Sequence, residues 1–204
     1  RIGTALANPD QRTFSEWGDY FQWSQVNNNR NFNVRKPSLE QIQKQKLIAA
    51  FQMTYVGAPM IYYGDECGMW GANDPDCRKP MVWRELTYTN ETHNPDQSEH
   101  APDAVQFNND LFNWYKKLIS IRNNNKALRS GDFRTLVADD AKQLYAFERS
   151  LGNARVIVVL NRSSNSVAFQ HASMKKGKWK NIVTNKPFTA KEELPALSVA
   201  IYTR

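Results

Sequence analysis

The chain has 204 residues, 27 of them Lys or Arg and 20 Asp or Glu, for a formal net charge of +7. A hydrophobic fraction of 41% with 12% aromatics supports a packed core and excludes disorder along the whole length. Two cysteines exclude a disulfide scaffold, and neither Cys67 nor Cys77 has another Cys or a His at zinc-ligand spacing, so no metal site is expected.

The length fits one large domain or two small ones. No charged leader followed by an apolar run is visible at Arg1, which leaves the compartment open. The longest uncharged stretch, Leu47 to Gly64, carries Gln52, Thr54, Gly57 and Pro59 and reads as a buried helix, turn and strand rather than a membrane span. The basic surplus is scattered. Its densest cluster, Lys175, Lys176, Lys178 and Lys180 around Gly177 and Trp179, reads as a hairpin tip, so no nucleic-acid partner is expected.

From Ile2 to Lys36 few periodic signals appear. Trp17, Tyr20, Phe21 and Trp23 suggest an aromatic turn, and Asn27, Asn28, Asn29, Asn31 and Asn33 a polar loop. The first clear helix starts at Ser38, which forms an S-x-x-Q capping box with Gln41. Leu39, Ile42, Ala49 and Met53 fall on one stripe, widened by Leu47, Ala50 and Phe51. Gly57 suits a left-handed helix end, with Pro59 as a stop. The short run Met60-Ile61-Tyr62-Tyr63 is expected to be a strand buried on both faces, as in a parallel sheet, ending at Gly64-Asp65-Glu66.

Residues from Cys67 to Trp83 then read as a long polar loop. A second helix begins near Asn109 or Asp110, with Leu111, Trp114, Tyr115, Leu118 and Ile121 on one face, and frays at Asn123, Asn124 and Asn125. After Gly131-Asp132 the pattern changes. Phe133–Val137, Gln143–Arg149, Arg155–Leu160, Val167–Phe169, Trp179–Val183 and Leu197–Tyr202 read as six short strands without helices, which argues for an antiparallel sandwich. Val156–Leu160, apolar on both faces, should be central, and Ser150-Leu151-Gly152-Asn153 reads as a hairpin connection.

The loop after Gly64 holds Trp70, Asn73, Asp74, Asp76, Arg78 and Trp83. Carboxylates and Arg can bond vicinal hydroxyls, and flat aromatic faces can cover the C–H faces of a sugar ring. Asp65 and Glu66 are adjacent and on an extended strand point to opposite sides, so one of them could enter a site, while the simpler reading makes both supporting carboxylates. His93, His100 and His171 lie in no nucleophile motif, and phosphate-binding glycine patterns are absent.

Two blocks then become specific. The run Phe51-Gln-Met-Thr-Tyr-Val-Gly-Ala-Pro-Met-Ile-Tyr-Tyr-Gly-Asp-Glu66, and Gly68-Met-Trp-Gly71 with Asp74-Pro-Asp-Cys-Arg-Lys-Pro-Met-Val-Trp83, resemble the end of the catalytic barrel in the α-amylase superfamily, most closely the neopullulanase, cyclomaltodextrinase and maltogenic amylase group. Leu111 to Arg122, with Ala127-Leu-Arg-Ser-Gly-Asp-Phe133, resembles the last barrel helix and the start of that group's C-terminal β domain.

This resemblance implies an α/β plus all-β chain: the C-terminal portion of a TIM (β/α)8 barrel over residues 1–131, then an antiparallel β-sandwich domain over 132–204. It implies that Asp74 and Arg78, the Asp-Pro-x-x-Arg positions, bind substrate with Trp70, while Asp65 and Glu66 support; the alternative for Asp74 and Arg78 is a salt bridge within their own loop. The partner implied is an α-glucan oligosaccharide, together with the missing barrel portion of a parent chain; a homodimer stays open, and no membrane partner is expected. The family's three reacting carboxylates have no counterpart here. Arg1-Ile2 resembles the tail of the segment that carries the last of them, which would lie just upstream of Arg1. No cofactor is implied, and a calcium ion in the parent cannot be assigned to residues of this chain. The rival reading is a glucan-binding or structural sandwich module without catalysis, with exposed Trp179 and other aromatics stacking on sugars.

Overall fold

A computed structural model describes residues 1–8, 24, 29 and 31–204. The aromatic turn expected around Trp17 to Trp23, and Asn27 and Asn28 of the polar loop, lie outside the described residues. The chain packs as two compact units, Arg1–Gln45 with Met60–Trp114, and Lys46–Pro59 with Tyr115–Arg204.

In the first unit, helix α1 spans Ile2–Ala7 and helix α2, Leu39–Thr54, begins. The capping box forms: Ser38 Oγ accepts from the Gln41 N–H at 3.3 Å, and Gln41 Oε1 accepts from the Ser38 N–H at 2.6 Å. Ile42, Leu47, Ala49, Ala50 and Met53 are buried, whereas Leu39, the first helical residue, is 86% exposed and lies off the stripe expected of it. Gly57 has φ +98°, the left-handed conformation expected.

The segment Met60–Tyr63 is not a strand. A strand is held by ladder bonds to neighbours, and four apolar residues make none on their own. No described strand runs beside this segment; Met60 is 75% exposed, and Ile61, Tyr62 and Tyr63 are also exposed. The polar turn after it is present, as a one-turn 3-10 helix over Asp65–Cys67. Farther along, an irregular antiparallel hairpin pairs β1, Glu91–His93, with β2, Glu99–Asp103, a feature the sequence pattern did not announce. Under it, buried Cys67, Met69 and Val82 form a small core with Tyr88, Val105 and Phe107. Helix α3 spans Asn109–Asn124, capped by Asn108 Oδ1, which accepts from the Leu111 N–H at 3.0 Å. Leu111, Tyr115, Leu118 and Ile121 are buried on the expected face.

The second unit is built on antiparallel strands. A short helix α4, Lys126–Ser130, follows the asparagine run. Strands β3 (Asp132–Asp139), β4 (Leu144–Leu151) and β5 (Ala154–Asn161) form a meander whose β4–β5 connection is Gly152-Asn153, with Gly152 at φ +58°. Strand β6 (Val167–Phe169) leaves this sheet; β7 (Lys180–Asn181), β8 (Lys186–Pro187), β9 (Glu192–Leu194) and β10 (Ser198–Thr203) follow. The large sheet has the order β3-β4-β5-β10-β7-β8, and β6 pairs with β9 in a second sheet. β5 is indeed internal, paired with β4 and β10, and Val156 to Asn161 are buried.

Strand alternation sorts the residues to two faces. Leu144, Ala146, Ile157, Val159, Ala200 and Tyr202 pack with Phe169 and Leu194 of the small sheet. On the opposite face, Phe147 meets Phe51 and Tyr55 edge-on at 6.2 and 5.7 Å between ring centroids. The end of α2 therefore covers one face of the large sheet and the small sheet covers the other.

Trp179 belongs to this core. It is 3% exposed, and its Nε1–H donates to the Lys176 carbonyl at 3.2 Å. The exposed platform expected of Trp179 is therefore absent, because the indole fills the sandwich interior instead. The lysine cluster around it is not a hairpin tip either, since it connects β6 to β7, which lie in different sheets. Among the described residues no helix is long and apolar enough to cross a membrane.

Candidate functional site

The loop from Gly64 to Trp83 is shaped by its glycines and by Arg1. Gly64 lies at φ +88°, and a Cβ there would come 2.4 Å from Met69 Sδ and 2.9 Å from Arg1 Nη1, so only glycine fits. The Gly64 carbonyl accepts from the Cys67 and Met69 N–H groups, which closes the turn. Arg1 donates to the carbonyls of Tyr63 and Cys77. Its guanidinium also covers the Tyr62 and Tyr63 rings at 4.6 and 4.5 Å. It thus ties the start of the loop to its far side, a role the sequence did not signal.

Asp65 is 4% exposed. Its Oδ1 accepts from the Ile2 N–H at 3.3 Å, and its carbonyl accepts from Gln45 Nε2 at 2.8 Å. Burial pushes its carboxyl above the usual range, against the pull of nearby positive charge. Glu66 Oε2 accepts from the Gly64 N–H at 2.8 Å. Both carboxylates brace the turn.

Trp70 is 5% exposed rather than displayed. Its Nε1–H donates to Glu91 Oε1 at 3.2 Å, and the other Glu91 oxygen is paired with Lys79 Nζ. Trp70, Met69, Val82 and Tyr88 wall a cavity of about 310 Å³ with the Lys79–Glu91 pair at its polar side. Glu91 and Lys79 carried no motif in the sequence; only the β1–β2 hairpin brings Glu91 to this wall.

The Asp74 and Arg78 positions stand on the next turn. Asn73 Oδ1 accepts from the Asp74 N–H at 2.7 Å, the Asn73 carbonyl accepts from the Asp76 N–H, and the Pro75 carbonyl accepts from the Arg78 N–H. This places Asp74 and Arg78 one turn apart, and they form an ion pair with side chains 42% and 67% exposed. Neither residue lines the cavity beside Trp70 or a smaller one of about 130 Å³ bounded by Arg1, Tyr62, Asn73 and Cys77. The structure therefore brings Asp74 and Arg78 together and sets Trp70 apart in a different wall. Trp83 is 55% exposed. Among the described residues no group of three or more His, Cys, Asp or Glu is placed to hold a metal ion.

Residues 12–131 match the family model for the alpha amylase catalytic domain, and residues 133–202 match that for the maltogenic amylase C-terminal domain. The chain belongs to the α-amylase family. A cyclomaltodextrinase of Geobacillus thermopakistaniensis is 36% identical over 162 residues, which is 79% of this chain and 24% of that protein. Neopullulanase 2 of Thermoactinomyces vulgaris is 43% identical over 118 residues, 58% of this chain and 17% of that protein. The chain thus spans about a quarter or less of the length of these relatives. Among solved structures, the debranching enzyme from Nostoc punctiforme aligns with a TM-score of 0.59 at 28% identity, over 82% of this chain and 31% of that one. A maltogenic amylase from S. marinus aligns at 0.58 and 26% identity, over 79% and 19%. The architecture is accordingly that of a barrel portion followed by a β domain.

Proposed function

We propose that this chain is the C-terminal part of a retaining α-glucan hydrolase, with residues 1–131 supplying one wall of the substrate cleft and residues 132–204 the accessory β domain. The reacting carboxylates then belong to polypeptide outside this chain. The observation that carries this reading is the match of residues 12–131 to the catalytic domain. The small share of each relative that the chain spans supports it further. Retention needs two carboxyls about 5–5.5 Å apart, one attacking the anomeric carbon and one acting as acid and then base. In this reading Asp65 and Glu66, each accepting from one backbone N–H, support the turn instead of reacting.

In this reading Asp74 and Arg78 orient the sugar and break no bond. Their ion pair is exposed, and exposed pairs contribute at most about 1 kcal/mol, so a ligand can recruit both groups at little cost. A planar guanidinium beside a carboxylate presents donors and an acceptor to adjacent hydroxyls. Trp70 contributes as the wall of its cavity. The rival sandwich-only module cannot use Trp179 as its platform, because Trp179 is buried. Incubating the 204-residue chain with maltoheptaose tests the division of labour. No released sugar is expected, and measured turnover would place the chemistry in this chain.

A further inference from the structure

A second cavity, of about 270 Å³, lies in the unit that carries the sheets, between the end of α2 and the β3–β4 connection. Its floor is apolar, formed by buried Leu47, Leu144 and Leu160. Phe51 and Tyr145 stand at its side, with ring centroids 6.4 Å apart and planes tilted by 57°. Phe51 is 36% exposed, so ring surface is open to a ligand.

The rim is polar and only partly used. Asp139 is occupied, accepting from the Lys142 N–H at 2.9 Å and pairing with Lys142 Nζ at 2.8 Å. Arg162 is fixed through its backbone, whose N–H donates to the Gln143 carbonyl at 2.9 Å. Its guanidinium, like the Asp140 carboxylate, has no hydrogen-bond or ion-pair partner among the described residues. The cavity thus joins aromatic surface to an unengaged planar donor and an unengaged acceptor.

That combination fits a neutral ligand with one C–H face and several hydroxyls. The volume is just below the range of about 300–1,000 Å³ common for small-molecule sites, which suits one or two pyranose rings. We infer that this cavity is an accessory carbohydrate site that takes a short α-glucan segment, with Arg162 and Asp140 bonding its hydroxyls and Phe51 and Tyr145 covering a ring. The ligand class rests on the glucan reading above; the site is separate from Asp74 and Arg78.

The test is an amide-resolved NMR titration of the 204-residue chain with maltotriose. Saturable shifts are expected at Phe51, Gln143 and Tyr145. Arg162→Ala, at an exposed position, should weaken them about tenfold in Kd while leaving the remaining spectrum in place, as loss of one charged donor does. Asp74→Ala should leave them unchanged. Shifts confined to Asn73, Asp74 and Arg78 would overturn the accessory site and leave the lip reading standing. Shifts at the cavity that survive both Arg162→Ala and Asp140→Asn would overturn the proposed recognition. Shifts at neither place would overturn the accessory site, while kinetics of Arg78 variants decide the lip independently.

Discussion

Arg149 and Arg122 meet at one carbonyl: both guanidinium groups donate to the Tyr55 oxygen, at 2.9 and 3.4 Å. The last carbonyls of a helix have no partner within it and carry the negative end of its dipole, so cations suit that position. Arg149, 1% exposed, also bonds the carbonyls of Thr54, Leu128 and Gly131, and Arg122 those of Met53 and Gly57. Burial, and then the neighbouring Arg122, lower the Arg149 pKa from its ordinary value. Two arginines thereby finish α2 where it lies on the large sheet.

Arg149→Met would leave several buried carbonyls unbonded. A loss of about 3 kcal/mol is expected, read as a lower urea midpoint at an unchanged slope. Arg149→Lys should recover only part of it, since one ammonium cannot span four carbonyls. A loss below about 1 kcal/mol would mean that water replaces these bonds.

The capping box at Ser38 predicts a smaller effect. Ser38→Ala removes the acceptor of the Gln41 N–H and should cost about 1 kcal/mol, whereas Ser38→Gly should cost a few tenths. An unchanged stability for Ser38→Ala would show that the hydroxyl is not what holds the helix start.

How far the fold was legible depended on where each element finds its partners. The capping box, the face of α3 and the six strands expected from Phe133 onward are local patterns, and they formed within a few residues of expectation, whereas β8 and β9, two and three residues long, were not expected. The central position of β5 followed from apolar residues on both its faces. Met60–Tyr63 failed for the opposite reason: a run of four apolar residues becomes a strand only beside another strand, and none is described there. The β1–β2 hairpin was missed because Glu91, His93, Glu99 and Asp103 show no apolar alternation. At the candidate site, Asp74 and Arg78 were singled out through resemblance, and their pairing follows from a one-turn spacing. The burial of Trp70 and Trp179 was not legible, because it depends on Glu91 and on the small sheet, both distant in sequence.

The two thiols should react very differently. Burial pushes the Cys67 thiol up to about 11, and Cys67 is 1% exposed, while Cys77 is only half-buried. Iodoacetamide at pH 8 should label Cys77 in the folded chain and Cys67 only after denaturation, because the thiolate is the nucleophile. Equal labelling rates would contradict the packing of the Cys67, Met69 and Val82 core.

Asp103 gives the first unit an acid-sensitive tie. Burial alone would raise its pKa, but the Arg35 guanidinium at 2.6 Å and the Lys36 N–H at 3.2 Å outweigh it and hold the carboxyl below the usual range. The folded state therefore binds its proton less readily than the unfolded chain. The stabilisation is complete above the unfolded value of about 3.9 and is lost as pH falls through the lower folded value. Asp103→Asn should flatten the acid side of the stability profile, and an unchanged profile would remove this pair from the account.

The central claim is that Asp74 and Arg78 touch substrate without taking part in bond breaking. Its most direct measurement is the kinetics of Arg78→Lys in a full-length enzyme that carries this chain, with maltoheptaose as substrate. Loss of a planar two-pronged donor should raise KM about tenfold with kcat within about twofold. Unchanged KM and kcat would show that the Asp74–Arg78 pair serves only its own loop.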